Sequence, residues 1–427
     1  MKKFKYILLG LALAATTTSC VDEIEDGKTD IDEWPLPKVE LTYPETFTHP
    51  GVVFNMTDIE RWREIVKTQH MPQYASFELL QNDRLSSSTY GMVGPFPELY
   101  SGEAEGKPNI VNLVANDFGA ACQNAIMFAA TEQKAYADKA MEIIRAYSKL
   151  NKPAYHAGGA GQLDHILLIS NIGAKLVYAI ELMHHLEGSG MTDSDFADAC
   201  GILRNCFIPT LDAFFNITEP SKMAIGNFGA AAMNCYISMG ILLDDAAMYR
   251  KAIERYLTGY DNGSIRYYID AETGQCQETG RDQTHCQLGL GMLSMVCENA
   301  WKHGTDLYGV LDNRLLLGYE YTAKYNLGYD VPFKIMPELT GKYHWTYPDQ
   351  VDKEELLTGK RTEGRRGKFS PVYERVYNHY VVRKGLAMPY VEEVLTTKAR
   401  PENNGAPDVA HLGFGTFLYN TEGYRAE

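Results

Sequence analysis

From about residue 57 the apolar positions recur at intervals of three and four almost without a break, the period of a helix that buries one face. Thr57, followed by Asp58 and Glu60, marks the first helix start. The pattern then predicts helices over residues 112–131, 134–150, 165–186, 193–216, 226–243, 245–257, 281–301 and 313–325. Period-two alternation is scarce; residues 264–269, after the Asp261-Asn262-Gly263 turn, read as a short strand. Successive antiparallel helix pairs of this length predict an all-α fold, either an (α/α) toroid or barrel of helix hairpins, or a helical solenoid. No sequence motif repeats along the chain, which weighs against the solenoid.

The first residues follow a different pattern. Lys2, Lys3 and Lys5 precede an apolar run over 6–15 and then Thr16-Thr17-Thr18-Ser19, a secretory signal over residues 1–19. The run is too short to cross a bilayer as a stable helix. Cys20 stands at the cut, so the segment resembles a bacterial lipoprotein signal, with Thr17 where leucine is usual. Val21-Asp22-Glu23-Ile24-Glu25-Asp26 resembles the acidic surface-export tag of Bacteroidota lipoproteins. These likenesses imply a lipid on Cys20 and an outer-membrane location, facing outwards or into the periplasm; a secreted protein without lipid is the alternative. Residues 20–47, acidic and carrying Pro35, Pro37 and Pro44, read as a tether, and 48–427 as the body.

Charge narrows the partners. The net charge of −15 becomes −18 once Lys2, Lys3 and Lys5 leave with the signal, which argues against nucleic acid as a partner. A polyanionic substrate would require cations gathered in one groove. Seven cysteines follow Cys20 without a CxxC pair, and the histidines show no HxxxH or HxH spacing. Neither a catalytic metal constellation nor a full disulfide framework is expected, while a structural ion stays open. The cysteines read as packed thiols, with Cys200 and Cys206 as one pairing to check.

The densest chemistry lies in Gln277-Glu278-Thr279-Gly280-Arg281-Asp282-Gln283-Thr284-His285-Cys286-Gln287-Leu288-Gly289. Gly280 can open a helix there, which would set Arg281 and His285 on one face with Asp282 three before the imidazole. A polar helix end at the surface is the plainer explanation. A second helix starts at Ser370-Pro371 and stops at Gly385; on it Tyr373, Tyr377 and Tyr380 share one face, and Arg375 and His379 another. That aromatic face is either core or site. Asn227, in Gly226-Asn227-Phe228-Gly229, either caps a helix or presents its amide to a ligand. His156 and His165 flank a glycine-rich stretch that can border a cleft, and His184-His185 reads as a helix C-terminal cap. Residues 359–368 hold five cations, Arg365 and Arg366 among them, against one acid, either a loop gripping substrate carboxylates or a solvated surface. Trp345 and Tyr347 nearby can stack on sugars or pack.

Several of these segments together resemble the alginate lyase superfamily of polysaccharide lyases, in its Bacteroidota lipoprotein branch. They are His49-Pro50-Gly51-Val52, residues 112–117 and 136–140, Gly226-Asn227-Phe228, residues 277–291, 312–316, 320–328 and 373–386, spanning about 48–390. Related sequences often have tryptophan where Phe228 stands. The resemblance implies an (α/α) toroid, an acidic polysaccharide (alginate, above all mannuronate-rich, or glucuronan) and β-elimination without a cofactor. In such a reaction the C5 proton leaves beside a carboxylate, so donors must neutralise that carboxylate as charge develops. Asn227 with Arg281 or Gln283 suits that role. His285 is the candidate base, and Tyr377 or Tyr380 the candidate acid, unless one residue does both. Gln283, His379, Arg375, His165, Arg365, Arg366 and Phe228 are candidate substrate contacts. Two other classes stay open: a glycoside hydrolase using Glu278 and Asp282 as its carboxylate pair, and a glycan-binding lipoprotein without catalysis.

Overall fold

Asn55 caps the first helix, α1 (Met56–Thr68): its side chain accepts from the Asp58 amide, and Asp58 accepts from the Asn55 amide in return. The structure is a computed structural model describing residues 41–159, 163–217, 226–259, 263–334, 366–403 and 410–424. The signal, Cys20, most of the expected tether, Arg365, Trp345 and Tyr347 lie outside the described residues. Contact with the core begins ahead of residue 48, since Leu41, Tyr43 and Phe47 pack against it.

After α1 and α2 (Gln73–Gln81) the chain forms long helices in pairs: α3 (Val111–Thr131) with α4 (Lys134–Tyr147), α5 (Asp164–His185) with α6 (193–215), and α7 (Gly226–Leu242) with α8 (Ala246–Thr258). Next come α9 (Gln283–Lys302), α10 (Val310–Asn326), α11 (373–383) and α12 (389–399). One member of each pair is buried nearly all round. On α7 every residue except Phe228 is buried, and small side chains (Gly229, Ala230, Ala231, Ala232) allow close approach. Its partner α8 is two-faced: Met248, Tyr249, Ala252, Ile253 and Tyr256 face inward. α5 is long and apolar enough to span a membrane but is 94% buried, which makes it a core helix. The result is an all-α (α/α) toroid with α3, α5, α7 and α9 as its inner wall. The one sheet among the described residues pairs Tyr100–Ser101 with Tyr155–His156 in parallel.

The inner helices run the same way. Asn227 meets Glu278 at the start of α7, Asn234 accepts from Asn299 further along, and Ser238 meets Asn299 beyond that. His49 touches both Glu181 near the end of α5 and Asp244 just after α7, so those two ends also lie together. One mouth of the toroid is therefore lined by helix N-termini. The opposite end is covered by residues 49–58: His303 faces the Gly51 carbonyl, Asn299 holds the Val53 amide, and Lys302 pairs with Asp58 at 2.5 Å and Glu298 at 3.4 Å.

Two expectations change. Residues 264–269 form a helical turn (Ile265–Tyr268) instead of a strand, with only the bridge Ile269–Cys276. The turn closes on the Ser264 carbonyl, and Gly263 lies against α7 so closely that a Cβ there would overlap the Gly226 carbonyl. α9 begins after Asp282 instead of at Gly280. Leu311, Asp312 and Asn313 are left-handed, so the regular part of α10 starts only beyond them. All seven cysteines among the described residues are buried and free, Cys200 and Cys206 included.

Candidate active site

Glu278 organises the helix-start mouth. Its side chain is wholly buried and accepts from four donors: the Asn227 amide (3.0 Å), Asn227 Nδ2 (2.6 Å), the Tyr268 hydroxyl (3.0 Å) and Arg281 (3.1 Å). Burial pushes its carboxyl above the usual range, against Arg281, His285, Asn227 and Tyr268, which favour the charged form. Through this one carboxylate the first turn of α7, the turn at 265–268 and the loop before α9 share a fixed geometry. Asn227 Oδ1 and both ends of the Gln277 amide are buried without a hydrogen-bond partner among the described residues. Such unsatisfied groups are rare and need an explanation, commonly a ligand or solvent.

Asp282 performs two tasks. It caps α9 by accepting the His285 amide (2.9 Å), and its other oxygen meets His285 Nδ1 at 2.5 Å. Burial disfavours the charged form of Asp282, but the hydrogen bonds and charge of His285, with Arg281 behind them, hold its carboxyl below the usual range. A carboxylate on Nδ1 keeps the ring proton there, and Nε2 is left as a base. The His285 side chain is 32% exposed, and its Nε2 makes no hydrogen bond among the described residues. Arg281, 24% exposed, lies between the two carboxylates, 3.7 Å from Asp282. It reaches the site from the loop before the helix, held by Glu278, and not from a shared helix face with His285.

Other candidates fall into place or away. His165 sits on the first turn of α5, half-buried; burial and then the charge of His156 lower its pKa, and its Nδ1 is buried without a partner. Phe228 is the one partly exposed residue of α7, next to Asn227. Gln283 is no free donor: its Nε2 goes to the Thr279 carbonyl and its Oε1 accepts from Asn326. Arg366 donates to the Tyr325 and Tyr329 carbonyls and stacks on the Tyr325 ring, so it fastens the end of α10.

The α11 residues do not reach His285. Arg375 is buried against Gly291 and Ser294, the latter nine positions along α9 and about 14 Å from His285 at 1.5 Å per residue. His379 stacks on Tyr308 at 3.8 Å and meets the edge of Trp301, about 24 Å along α9 by the same measure; burial lowers its pKa to about 4. Tyr380 is buried with its hydroxyl on the Tyr308 carbonyl. Tyr377 lies beside Arg400 with Glu392, Glu422 and Glu374 around it, a setting that repels a polyanion. The aromatic face of this helix is core. Sequence reasoning missed Tyr268, whose hydroxyl meets Glu278 and the Cys286 carbonyl, because a tyrosine in a short turn carries no pattern.

No cluster of metal-ligating side chains gathers at this mouth among the described residues. A family model described as alginate lyase matches residues 100–330, more than half of the chain. The fold is similar to an alginate lyase from Bacteroides ovatus (13% identity, 87% of this chain and 100% of that one, TM-score 0.55). It is also similar to alginate lyase A1-III in complex with a tetrasaccharide (15%, 87% and 98%, TM-score 0.54). A search of curated proteins gives no match. The helical toroid, the polar cluster at its mouth and the family match agree: the chain belongs to the alginate lyase family of polysaccharide lyases.

Proposed function

We propose that this lyase cleaves mannuronate-rich alginate or glucuronan by β-elimination, with His285 as both base and acid. The observation that carries the reading is the imidazole itself: oriented by Asp282 at Nδ1 and 32% exposed, while the nearby Tyr268 hydroxyl is committed to Glu278 and to the His285 and Cys286 carbonyls. In mannuronate and glucuronate the C5 proton and the C4 oxygen lie on one face of the ring, so a single group can serve both. Nε2 takes the C5 proton while Arg281 and the Asn227 amide, with the N-termini of α7 and α9, offset the charge growing on the carboxylate. The C4–O4 bond then breaks, its electrons stay with O4, and the imidazolium returns the proton there. The products are an unsaturated uronide end and a free hydroxyl. His165 and Phe228 border the bound sugars. Glu278 and Asp282 are too buried and too fully bonded to serve as a hydrolase's acid and nucleophile.

A lipid on Cys20 would hold the enzyme on the outer membrane, where large polymers arrive. Mass spectrometry of the digestion products tests the reaction type. Each new non-reducing end is expected to be one water lighter than a hydrolytic end; products of hydrolytic mass would refute elimination.

A further inference from the structure

Glu181 is buried near the C-terminal end of α5, and its two oxygens are treated differently. Oε1 accepts the Gly51 amide at 2.7 Å and faces His49 Nδ1 at 2.9 Å. Oε2 is buried without a hydrogen-bond partner, and so is His185 Nε2, which faces it at 3.5 Å from one turn along the same helix. Two buried groups of opposite preference, both unsatisfied and turned toward each other, call for something between them. The donor atoms of His49, Glu181 and His185 all lie within 4.8 Å of one another.

The surroundings are those of metal ligands. His49 Nε2 faces Asp244 Oδ1 at 3.3 Å, the carboxylate contact that orients a ligating histidine and fixes its tautomer. The Gly51 amide likewise pins one Glu181 oxygen and leaves the other available. The imidazoles of His49 and His185 are stacked, 4.4 Å apart at 11°, so their lone pairs run side by side as they stand. Tetrahedral donors at zinc distances are about 3.4 Å apart, so the set has to contract by little more than an ångström.

We propose that His49, Glu181 and His185 form a zinc site that clasps the 49–53 segment to the end of α5, with water as fourth ligand. Two imidazoles and one carboxylate are borderline donors that suit zinc over magnesium or calcium. Glu181 lies sixteen positions along α5 from His165, about 24 Å from the mouth, so the ion is structural and takes no part in the sugar chemistry. HxxxH searching overlooks the site because two ligands are a Glu-x-x-x-His pair and the third lies 132 positions away.

The test uses the full-length protein, stripped with chelator, exposed to zinc and desalted. Elemental analysis is expected to find one zinc per chain, and melting temperature to fall with chelator and recover with zinc. His185→Gln and His49→Gln should lose the ion and the response; Glu181→Gln covers the case in which a histidine variant does not fold. A wild-type protein that retains no stoichiometric zinc and melts alike with zinc or chelator would overturn the proposal, leaving a protonated His49 paired with Glu181. Zinc retained in the variants would overturn it as well. Neither result depends on whether the protein is active on polyuronates.

Discussion

At the residue scale the account rests on two carboxylates with separate jobs. Asp282 holds the imidazole, and Glu278 holds Asn227 and Arg281, the groups proposed to meet the substrate carboxylate. His285→Ala should lower kcat by about 10²- to 10⁴-fold, the worth of a general base, and lower the melting temperature, because buried Asp282 loses the ring and keeps only the backbone amide of that position. Activity near wild type would remove His285 from the mechanism. Glu278→Gln should do two things at once: cost about 1–3 kcal/mol in stability, from donors left unpaired in a buried place, and lower kcat. Denaturant unfolding beside steady-state kinetics measures both; a change in one alone would separate Glu278 from either role. The pairing of Asp282 with His285 was legible, since three residues apart at a helix start suffices for a cap and a contact. The position of Arg281 was not, because it depends on a carboxylate bonded across three chain segments. Tyr377 and Tyr380 misled for a simple reason: an aromatic stripe says which helix face is buried, not what it is buried against.

At the element scale, parallel inner helices deliver three first turns to one mouth, and the packing of those helices carries into the chemistry. Gly289 of α9 lies under the Tyr268 ring, and a Cβ there would overlap its hydroxyl end. Gly289→Ala should therefore push Tyr268 off Glu278, cost about 1–3 kcal/mol as an overpacked core substitution, and lower kcat from a position that touches no substrate. An unchanged kcat would mean Tyr268 does not help place Glu278. Helix positions were readable almost to the residue, because long buried helices impose an unbroken period on the sequence. The strand expected at 264–269 was wrong for a local reason: alternation over six residues is also what one helical turn packed on two sides produces. The true start of α9 was obscured because Gly280 and Asp282 both suit a helix start, and only the bond from Asp282 to the His285 amide decides between them.

At the scale of the whole molecule the toroid closes through charge as well as apolar packing. Glu374 pairs with Arg400 at 2.6 Å, and Glu402 lies against the same helix start, accepting the Tyr373 and Glu374 amides. Burial, then the Glu374 charge, pushes the Glu402 carboxyl from 4.5 up to about 8. The folded protein thus keeps a proton that the unfolded chain releases; this stability is complete below pH 4.5 and is lost as pH rises toward about 8. Melting temperatures between pH 5 and 8 should fall less steeply in Glu402→Gln than in wild type; equal slopes would show that Glu402 ionises normally. In a chain of net charge −15, the helix N-termini at the mouth, with Arg281 between Glu278 and Asp282, supply the local positive character that an acidic sugar needs. The central claim is that His285, held by Asp282, eliminates across a bond whose proton and oxygen share a face. The most direct measurement is the ultraviolet absorbance of new unsaturated ends when wild type and His285→Ala act on polymannuronate, polyguluronate and glucuronan. The account predicts a rise with polymannuronate or glucuronan, little with polyguluronate, and none from the variant. A rise confined to polyguluronate, or one that survives loss of the imidazole, would contradict it.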